Sequence, residues 1–379
     1  QLKIHDKKTG FVNNKCICIL ALESIFTFFP SIENLSRGLY NLLKNIIVYG
    51  MEFVNFETTN NDCNRRFDTL IRKFLSEMPL SLVYKNIRTG FIRLNDKKTK
   101  QETKIKLGDV INIEKRLYNN FSKQNKEINF SDEYEKNKKF IENITIFKNE
   151  SILILDKPYN FNVQNSENDK NSLDTIIKSI YQKDSLTFLP GAMHRLDKLT
   201  TGVLCFSQNL DCARWFSEQI SKHFIQKEYF AILEGNLTNK QEWVDYISSD
   251  NNKNNHKSRI VESVNGKKSV TIIEPLSHGK YKNIDITFAK ISIKTGRKHQ
   301  IRLQCSNKGF PILNDSLYGS KISKQKNDLE QKLYLHCYHL GFPDNNFDIP
   351  SNIIAKIPNS FEKALIKCLI EITNQVYNI

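Results

Sequence analysis

The sequence has no run of about 18 uninterrupted apolar residues, the length that a membrane-spanning helix requires. We therefore predict no membrane span and no membrane partner. No internal repeats are visible either.

None of the eight cysteines shows the C-x-x-C spacing of a zinc site. The nearest approach to it, Cys16-x-Cys18, is too weak a signal for a metal site. Because the cysteines are scattered and mostly embedded in apolar surroundings, we predict reduced, buried thiols in a cytoplasmic protein, with no bound metal.

Acidic residues are the scarcer charged class, with 41 Asp and Glu against 56 Lys and Arg and a formal net charge of +15. This excess favours a polyanionic partner, because each neutralised phosphate releases counterions. The chain is rich in Asn, Lys and Ile throughout, as codon bias in an AT-rich genome produces. The positions of the arginines therefore carry more weight than the number of lysines.

Methionine is absent from residues 1–50, and the first one is Met51. Residues 16–29 form an apolar run, but Glu23 interrupts it and no clear cleavage site follows. A signal or transit sequence is one interpretation, although acidic residues such as Asp6 argue against the acid-poor transit type. We prefer Met51 as the true start and residues 1–50 as an extension that contributes little to the fold.

The length of 379 residues favours two domains, and residues 51–113 predict a small first one. Apolar residues from Phe67 to Leu75 recur at helical spacing and predict a helix that Pro79 ends. A second short helix, capped by Ser81, is predicted through Ile87. Two strands, over residues 91–94 and 107–111, complete the predicted unit.

Between Asn64 and Gly108 there are twelve basic residues and four acidic ones. An ordinary solvated helix face is one interpretation of this composition. Arginines near two consecutive helices favour a phosphate-binding surface instead. The arginines are Arg65, Arg66, Arg72 and Arg88, and Arg66, Arg72, Lys85 and Arg88 are the predicted RNA-binding residues.

This segment resembles the small RNA-binding domain first described in ribosomal protein S-four. The resemblance implies an N-terminal α/β RNA-binding domain. The matching residues are Arg66, Asp68, Ser81, Ile87, Arg88, Gly90, Ile92, Leu94, Asn95, Leu107, Gly108 and Asp109.

Residues 114–147 have mixed charge, few aliphatic side chains and no sustained period, so we predict a linker. Residues 148–379 are the predicted catalytic domain. It opens with a buried strand, residues 152–155, which Pro158 closes. A helix is predicted over residues 173–181.

A polar turn, residues 193–202, carries the lone carboxylate Asp197 between Arg195 and Lys198. The apolar run 203–206 follows, so we predict a loop that presents Asp197 beside a buried strand. In one interpretation Asp197 caps the turn and pairs with Arg195 or Lys198. In the other it is a catalytic group.

The run from His194 to Gly202 resembles the His-Arg-Leu-Asp-x-x-Thr-Ser-Gly motif of the RluA family of RNA pseudouridine synthases, which holds the essential aspartate. Leu199 stands where the family commonly has an acidic residue, and Thr201 where it has serine. We expect altered loop packing and retained activity. The resemblance covers roughly residues 152–342. Other matching stretches are 227–235, 295–302, 309–319 with Asn314 for the usual glycine, and 333–342, while residues 83–90 look most like the RluC subgroup.

The resemblance implies that Asp197 acts on the ribose, by attacking C1′ or by removing the C2′ proton, and both remain open. It also implies that Arg302 pairs with Asp197. A bidentate contact would keep the carboxylate ionised and correctly aimed. Arg297 is the alternative partner, with a phosphate contact as its expected role. Tyr229 would stack on the uracil and assist proton removal at C5, although a strand tyrosine often only packs.

The target base must be flipped out of folded RNA into the pocket. By resemblance, Arg195 fills the gap, with His194 nearby, although both could instead anchor the loop by hydrogen bonds. Lys227 and His299 complete the predicted RNA-binding residues, and His299 could equally be a structural histidine.

Alternating strands and short helices predict an α+β fold with an antiparallel-rich sheet. The resemblance implies the pseudouridine-synthase fold, with a mixed sheet and a central cleft. A slip of parity within residues 284–293 predicts a β-bulge, and residues 361–376 predict a closing amphipathic helix.

The predicted function is isomerisation of uridines to pseudouridine in large-subunit (23S) ribosomal RNA by a monomeric enzyme that needs no cofactor. One alternative is a non-catalytic RNA-binding factor in ribosome assembly, which the presence of Asp197, Tyr229 and Arg302 disfavours. The other is a transfer-RNA pseudouridine synthase, which the N-terminal module disfavours.

Overall fold

The computed structural model describes residues 52–121, 132–165, 171–181, 188–249, 258–261 and 265–370. They form two compact units, the first from residues 52–58 and 64–121, and the second from 59–63 and the described residues after 131. The predicted extension 1–50 and its boundary at Met51 lie outside the described residues. No helix in the described ranges is long and apolar enough to cross a membrane.

The first unit is a three-stranded antiparallel sheet with helices. The strand at the centre of the sheet is the last one in sequence. Its elements are β1 (Phe53–Glu57), α1 (Phe67–Phe74), α2 (Leu80–Thr89), β2 (Ile92–Leu94), β3 (Val110–Glu114) and α3 (Lys115–Phe121).

The predicted first helix is confirmed as α1, which buries Phe67, Leu70 and Ile71. The capping prediction for α2 is wrong. Its N-cap is Pro79, and Ser81 is an exposed residue inside the helix. Proline suits a helix start because the N–H that it lacks has no partner within the helix there.

The stretch predicted as a linker, residues 114–147, is mostly helical where it is described. It contains α3, which buries none of its residues, and α4 (Asp132–Asn143), which is followed by strand β4 (Thr145–Lys148). Ile141 and Phe140 of α4 pack on the core of the second unit. A mostly exposed helix needs few apolar residues, so its hydrophobic period is weak.

The second unit is built on an eleven-stranded sheet. The strand order is β10-β9-β11-β12-β8-β13-β7-β5-β4, with β14 beside β13 and β6 beside β7. Among the described strands, only the β13–β7 pair is parallel. This confirms the α+β fold with a mixed, largely antiparallel sheet. The remaining elements are β5 (Ile152–Lys157), α5 (Leu173–Ile180), β6 (Gly191–Ala192), β7 (Thr201–Ser207), α6 (Leu210–Ser221), β8 (Gln226–Glu234), β9 (Gln241–Ser249), β10 (Ser258–Val261), β11 (Lys267–Tyr281), β12 (Ile284–Ile293), α7 (Gln300–Asn307), β13 (Leu335–Gly341), β14 (Asn352–Ile354) and α8 (Asn359–Lys367).

The prediction of a bulge in β12 is wrong, because β12 pairs with β8 without a break in register. The irregularity lies in the neighbouring strand β11, between Pro275 and Ser277. The parity changes because both faces of the sheet are covered. Phe288 packs in one hydrophobic cluster and Ile291 in the other, and residues of opposite parity point to opposite faces.

The parallel contact between β13 and β7 joins only two residue pairs, one of them Cys337 with Gly202. A Cβ atom at Gly202 would lie 2.0 Å from the Cys337 carbonyl oxygen, and its φ is +109°. Only glycine fits such an approach. Gly202 thus fixes the start of β7, the strand that directly follows the Asp197 turn.

The closing helix α8 is shorter than the predicted 361–376. It ends at Lys367, and Leu369 has a φ of 55°. Residues 371–376 lie outside the described residues.

Candidate active site

Asp197 lies in the turn that connects β6 to β7. Backbone hydrogen bonds from Met193 N to Cys205 O (2.8 Å) and from Thr200 N to Asp197 O (3.0 Å) shape this turn. The Asp197 side chain is 27% exposed. The carboxylate is therefore reachable from a cavity but held by a structured loop.

Lys157, at the end of β5, supports the turn from beneath. It is fully buried, and its Nζ donates to the backbone carbonyls of Pro158 (3.1 Å), Lys198 (2.9 Å) and Thr200 (2.7 Å). Burial lowers the pKa of Lys157 to about 7, while the charges of Asp197 and Asp156 oppose that shift. No role for Lys157 was predicted from the sequence.

Replacing Lys157 with Met should destabilise the protein by about 2–4 kcal/mol, because buried carbonyls of the turn lose their donor. Urea unfolding measures this loss. Lys356→Met, at an exposed lysine, is the control and should change stability by less than about 0.5 kcal/mol. Equal stability of the two variants would show that Lys157 does not hold the turn.

Arg302 stands in the first turn of α7 and is 5% exposed. Its Nε and Nη2 donate to Asp315 Oδ2 and Oδ1 at 2.8 and 2.9 Å, and its Nη1 donates to Asp197 Oδ2 at 3.3 Å. The bidentate contact expected with Asp197 therefore goes to Asp315, and Asp197 receives the third nitrogen. Burial alone would lower the pKa of Arg302, but Asp315 and then Asp197 raise it above its usual value.

Asp315 is a site residue that sequence analysis missed. It is 1% exposed, and its Oδ1 also accepts from the backbone N–H groups of Leu317 (3.1 Å) and Tyr318 (3.3 Å). The preceding Asn314 has a φ of 64°. Asparagine tolerates this left-handed conformation better than most residues, which accounts for its presence where the family has glycine.

His299 lies beside Asp197, with Nε2 3.7 Å from Oδ2. Its Nδ1 is 2.9 Å from the Tyr318 hydroxyl, which also accepts from Ser258 N. Burial lowers the pKa of His299. These contacts favour the interpretation as a structural histidine, in a position that still touches the site.

Tyr229 and Lys227 point from β8 into the same cavity as Asp197. Tyr229 is 6% exposed. Burial first, then Cys337 and the charge of Asp197, raise the pKa of Tyr229 well above its usual range. The phenol is therefore neutral in the free protein. Burial lowers the pKa of Lys227.

The remaining predicted residues differ in how many contacts their side chains make. His194 Nε2 accepts from Cys205 N (3.2 Å), and burial lowers the pKa of His194 to about 3, which favours loop anchoring. Arg195 is exposed and makes no hydrogen bond or ion pair within the described part of the chain. Arg297 Nε donates to the Lys268 carbonyl (3.4 Å). Of the two arginines predicted as partners of Asp197, Arg302 makes the contact.

Every site residue predicted in the catalytic domain lines one cavity of about 690 Å³. Its volume lies within the range typical of ligand sites. Within the described ranges, no cluster of three or more His, Cys, Asp or Glu side chains is arranged to hold a metal ion. The predicted residues that line the cavity are Asp197, Tyr229, Arg302, His194, Arg195, Lys227, Arg297 and His299.

The predicted RNA-binding residues of the first unit are all exposed. Arg66 is not fully available, because its Nη2 pairs with Asp68 Oδ2 at 2.8 Å. Arg65, which the sequence pattern grouped with the others, is buried. The exposed set is Arg66, Arg72, Lys85 and Arg88.

Glu228 lies between Lys227 and Tyr229 in sequence and carries a separate network. Its Oε2 accepts from the Tyr338 hydroxyl (2.8 Å) and lies 3.1 Å from His339 Nδ1. The hydrogen bond with His339 lowers the pKa of Glu228 to about 2 and raises that of His339.

This pair predicts a pH-dependent stability. The raised pKa of His339 gives stability that is complete below its unfolded pKa of about 6.5 and is lost as the pH rises through the folded value. The lowered pKa of Glu228 gives stability that is lost as the pH falls towards 2. Chemical unfolding of wild type and His339→Gln should differ most near pH 5–6 and least above about pH 8. A difference that stays constant over this range would contradict the prediction.

Comparisons with known proteins identify relatives of this chain. A family model described as RNA pseudouridylate synthase matches residues 151–307. The ribosomal large subunit pseudouridine synthase C of Buchnera aphidicola subsp. Schizaphis graminum is 29% identical over 260 residues, covering 68% of this chain and 78% of that protein. The transfer-RNA pseudouridine synthase C of Haemophilus ducreyi is 31% identical over 180 residues, covering 46% and 73%.

A solved structure, human RNA pseudouridylate synthase domain containing 4, is similar in fold. It matches 63% of this chain and 99% of its own length, with a TM-score of 0.50 and 20% identity. At this identity the likeness supports the fold and nothing finer.

Proposed function

The chain belongs to the RNA pseudouridylate synthase family, and on that premise we propose that it isomerises specific uridines of large-subunit ribosomal RNA through Asp197. It is an isomerase that acts on RNA. The observation that carries the residue assignment is a reachable carboxylate, held by the Arg302 guanidinium at 3.3 Å in a cavity that Tyr229 also lines.

The reaction breaks the bond between N1 of uracil and C1′ of ribose, and forms a bond between C5 and C1′. The hydrogen on C5 leaves as a proton and N1 gains a proton from solvent, so the product is an isomer of uridine. Asp197, kept ionised and aimed by Arg302, would act at the ribose, either attacking C1′ or removing the C2′ proton. Arg302 can serve this purpose because Asp315 fixes its orientation.

We assign the uracil to the part of the cavity that Tyr229 lines, with the neutral phenol packed against the ring. Lys227 and Arg297 would contact phosphates or uracil carbonyls. Arg195 is suited to fill the place of the flipped base because it is exposed and has no partner within the described residues. His194 and His299 would hold the shape of the site.

The first unit is proposed to be an RNA-binding domain of the ribosomal protein S-four type, spanning residues 51–113. Exposure of Arg72, Lys85 and Arg88 supports this assignment. Residues 114–147 would join it to the catalytic domain, 148–379. The monomeric state and the cytoplasmic localisation of the protein stay predictions.

Ribosomal RNA is the preferred substrate because relatives named for the large subunit match about 70% of this chain, for example 72% for that of Haemophilus influenzae. The relative named for transfer RNA matches only 46%. Transfer RNA is the second candidate, because the relative named for it has the higher sequence identity to this chain over the residues that match.

Pseudouridine mapping on large-subunit rRNA and on transfer RNA, each transcribed without modification and incubated with the protein, tests the substrate. We expect pseudouridine at defined positions of the rRNA and none in transfer RNA. Modification of transfer RNA alone would overturn the substrate assignment. Tight binding without modification of either RNA would favour the assembly factor.

A further inference from the structure

A second cavity, of about 720 Å³, also reaches Asp197. Arg195, Asp197, His299 and Arg302 line both cavities. The proposed function uses the first cavity for the uridine and leaves the second without an occupant. Its volume is again within the range of ligand sites.

Three lysines give the second cavity a positive lining: Lys198, Lys298 and Lys332. Lys298 and Lys332 are exposed, and neither ammonium has a hydrogen bond or ion pair within the described part of the chain. Their backbones are nevertheless fixed. Ser258 Oγ donates to the Lys298 carbonyl (3.0 Å), and Lys332 N donates to the Tyr159 hydroxyl (2.8 Å).

The acidic groups that line the second cavity are already engaged. Asp315 forms the bidentate pair with Arg302, and Glu330 pairs with Lys363 at 2.9 Å. Asp197 is held by Arg302. The cations without partners therefore dominate, and the cavity favours an anion.

We propose that the second cavity binds the nucleotide adjacent to the isomerised uridine in the RNA strand, with Lys298 and Lys332 contacting its phosphodiester. The ribose of the target must lie at Asp197, where the two cavities meet, so a continuous strand passes from one cavity to the other. Tyr159 also lines the second cavity and offers an aromatic face for the base. This inference rests on the proposed function.

The test is tritium release from RNA labelled at C5 of uridine, measured over a salt series for Lys298→Ala, Lys332→Ala, Lys332→Arg and the control Lys356→Ala. Lys356 is exposed and lines neither cavity. Each alanine variant at the cavity should raise KM about threefold to tenfold and leave kcat within about twofold of wild type. The slope of log(kcat/KM) against log[salt] should become less steep by about 1. Lys332→Arg should restore wild-type behaviour.

Salt slopes equal to that of Lys356→Ala would overturn the second cavity as a phosphate site while leaving the proposed function intact. A fall in kcat without a change in slope would do the same, because it indicates a merely structural role. If wild type releases no tritium from any RNA, the proposed function fails. In that case the salt dependence of RNA binding tests the phosphate site. Equal salt slopes of binding for wild type and all variants would overturn the inference.

Discussion

Asp197→Asn is expected to lower the single-turnover rate of pseudouridine formation by about 10⁴-fold or more. The amide has nearly the shape of the carboxylate, but it can neither attack C1′ nor accept the C2′ proton. RNA binding should not weaken and should tighten by at most about threefold, because the change removes a negative charge from a site that meets phosphates.

Rapid-quench measurement with excess enzyme separates this chemical defect from binding. The matched control is Asp211→Asn, an exposed carboxylate, 80% accessible, on α6. It should keep the wild-type rate. A rate for Asp197→Asn within about tenfold of wild type would show that another group performs the ribose chemistry.

Breaking the buried pair of Arg302 and Asp315 is expected to have the second large effect. Their side chains are 6% and 2% exposed. Asp315→Ala removes the bidentate partner of the buried guanidinium, which keeps its 3.3 Å contact to Asp197, and should cost about 3–5 kcal/mol of stability. It should also lower kcat about 10²-fold, because Arg302 loses the contact that aims it at Asp197.

A double replacement separates the two consequences. Arg302→Met with Asp315→Leu removes both charges, so urea unfolding should recover most of the lost stability while the activity stays low. If the double variant regains activity together with stability, Arg302 contributes only to folding. If Asp315→Ala retains wild-type kcat, the orientation of Arg302 does not matter to the reaction.

Elements with a strong local pattern could be predicted from the sequence. The helix beginning at Phe67 and the buried strand over residues 152–155 have regular periods or continuous apolar runs, and both are confirmed. The α4 helix had no such signal because it buries little. The parity change in β12 was misread because its two causes, a bulge and burial on both faces, give the same pattern.

The catalytic domain's candidate residues could be predicted only because short motifs keep them in recognisable order. Their partners could not. Asp315 follows Arg302 by 13 residues, and Lys157 donates to carbonyls 41 and 43 residues away. The fold brings these groups together, and no periodicity or spacing in the chain encodes the contacts. For this reason, the bidentate contact of Arg302 was assigned to the wrong carboxylate.

The most direct test of the account is a count of pseudouridine against tritium released, using wild-type protein and large-subunit rRNA labelled at C5 of uridine. Isomerisation replaces the C5 hydrogen by the bond to C1′, so we predict one pseudouridine for each tritium released and a plateau at a fixed number of sites per RNA. Tight binding of the RNA with neither tritium release nor pseudouridine would contradict the claim that this protein isomerises uridines of large-subunit rRNA.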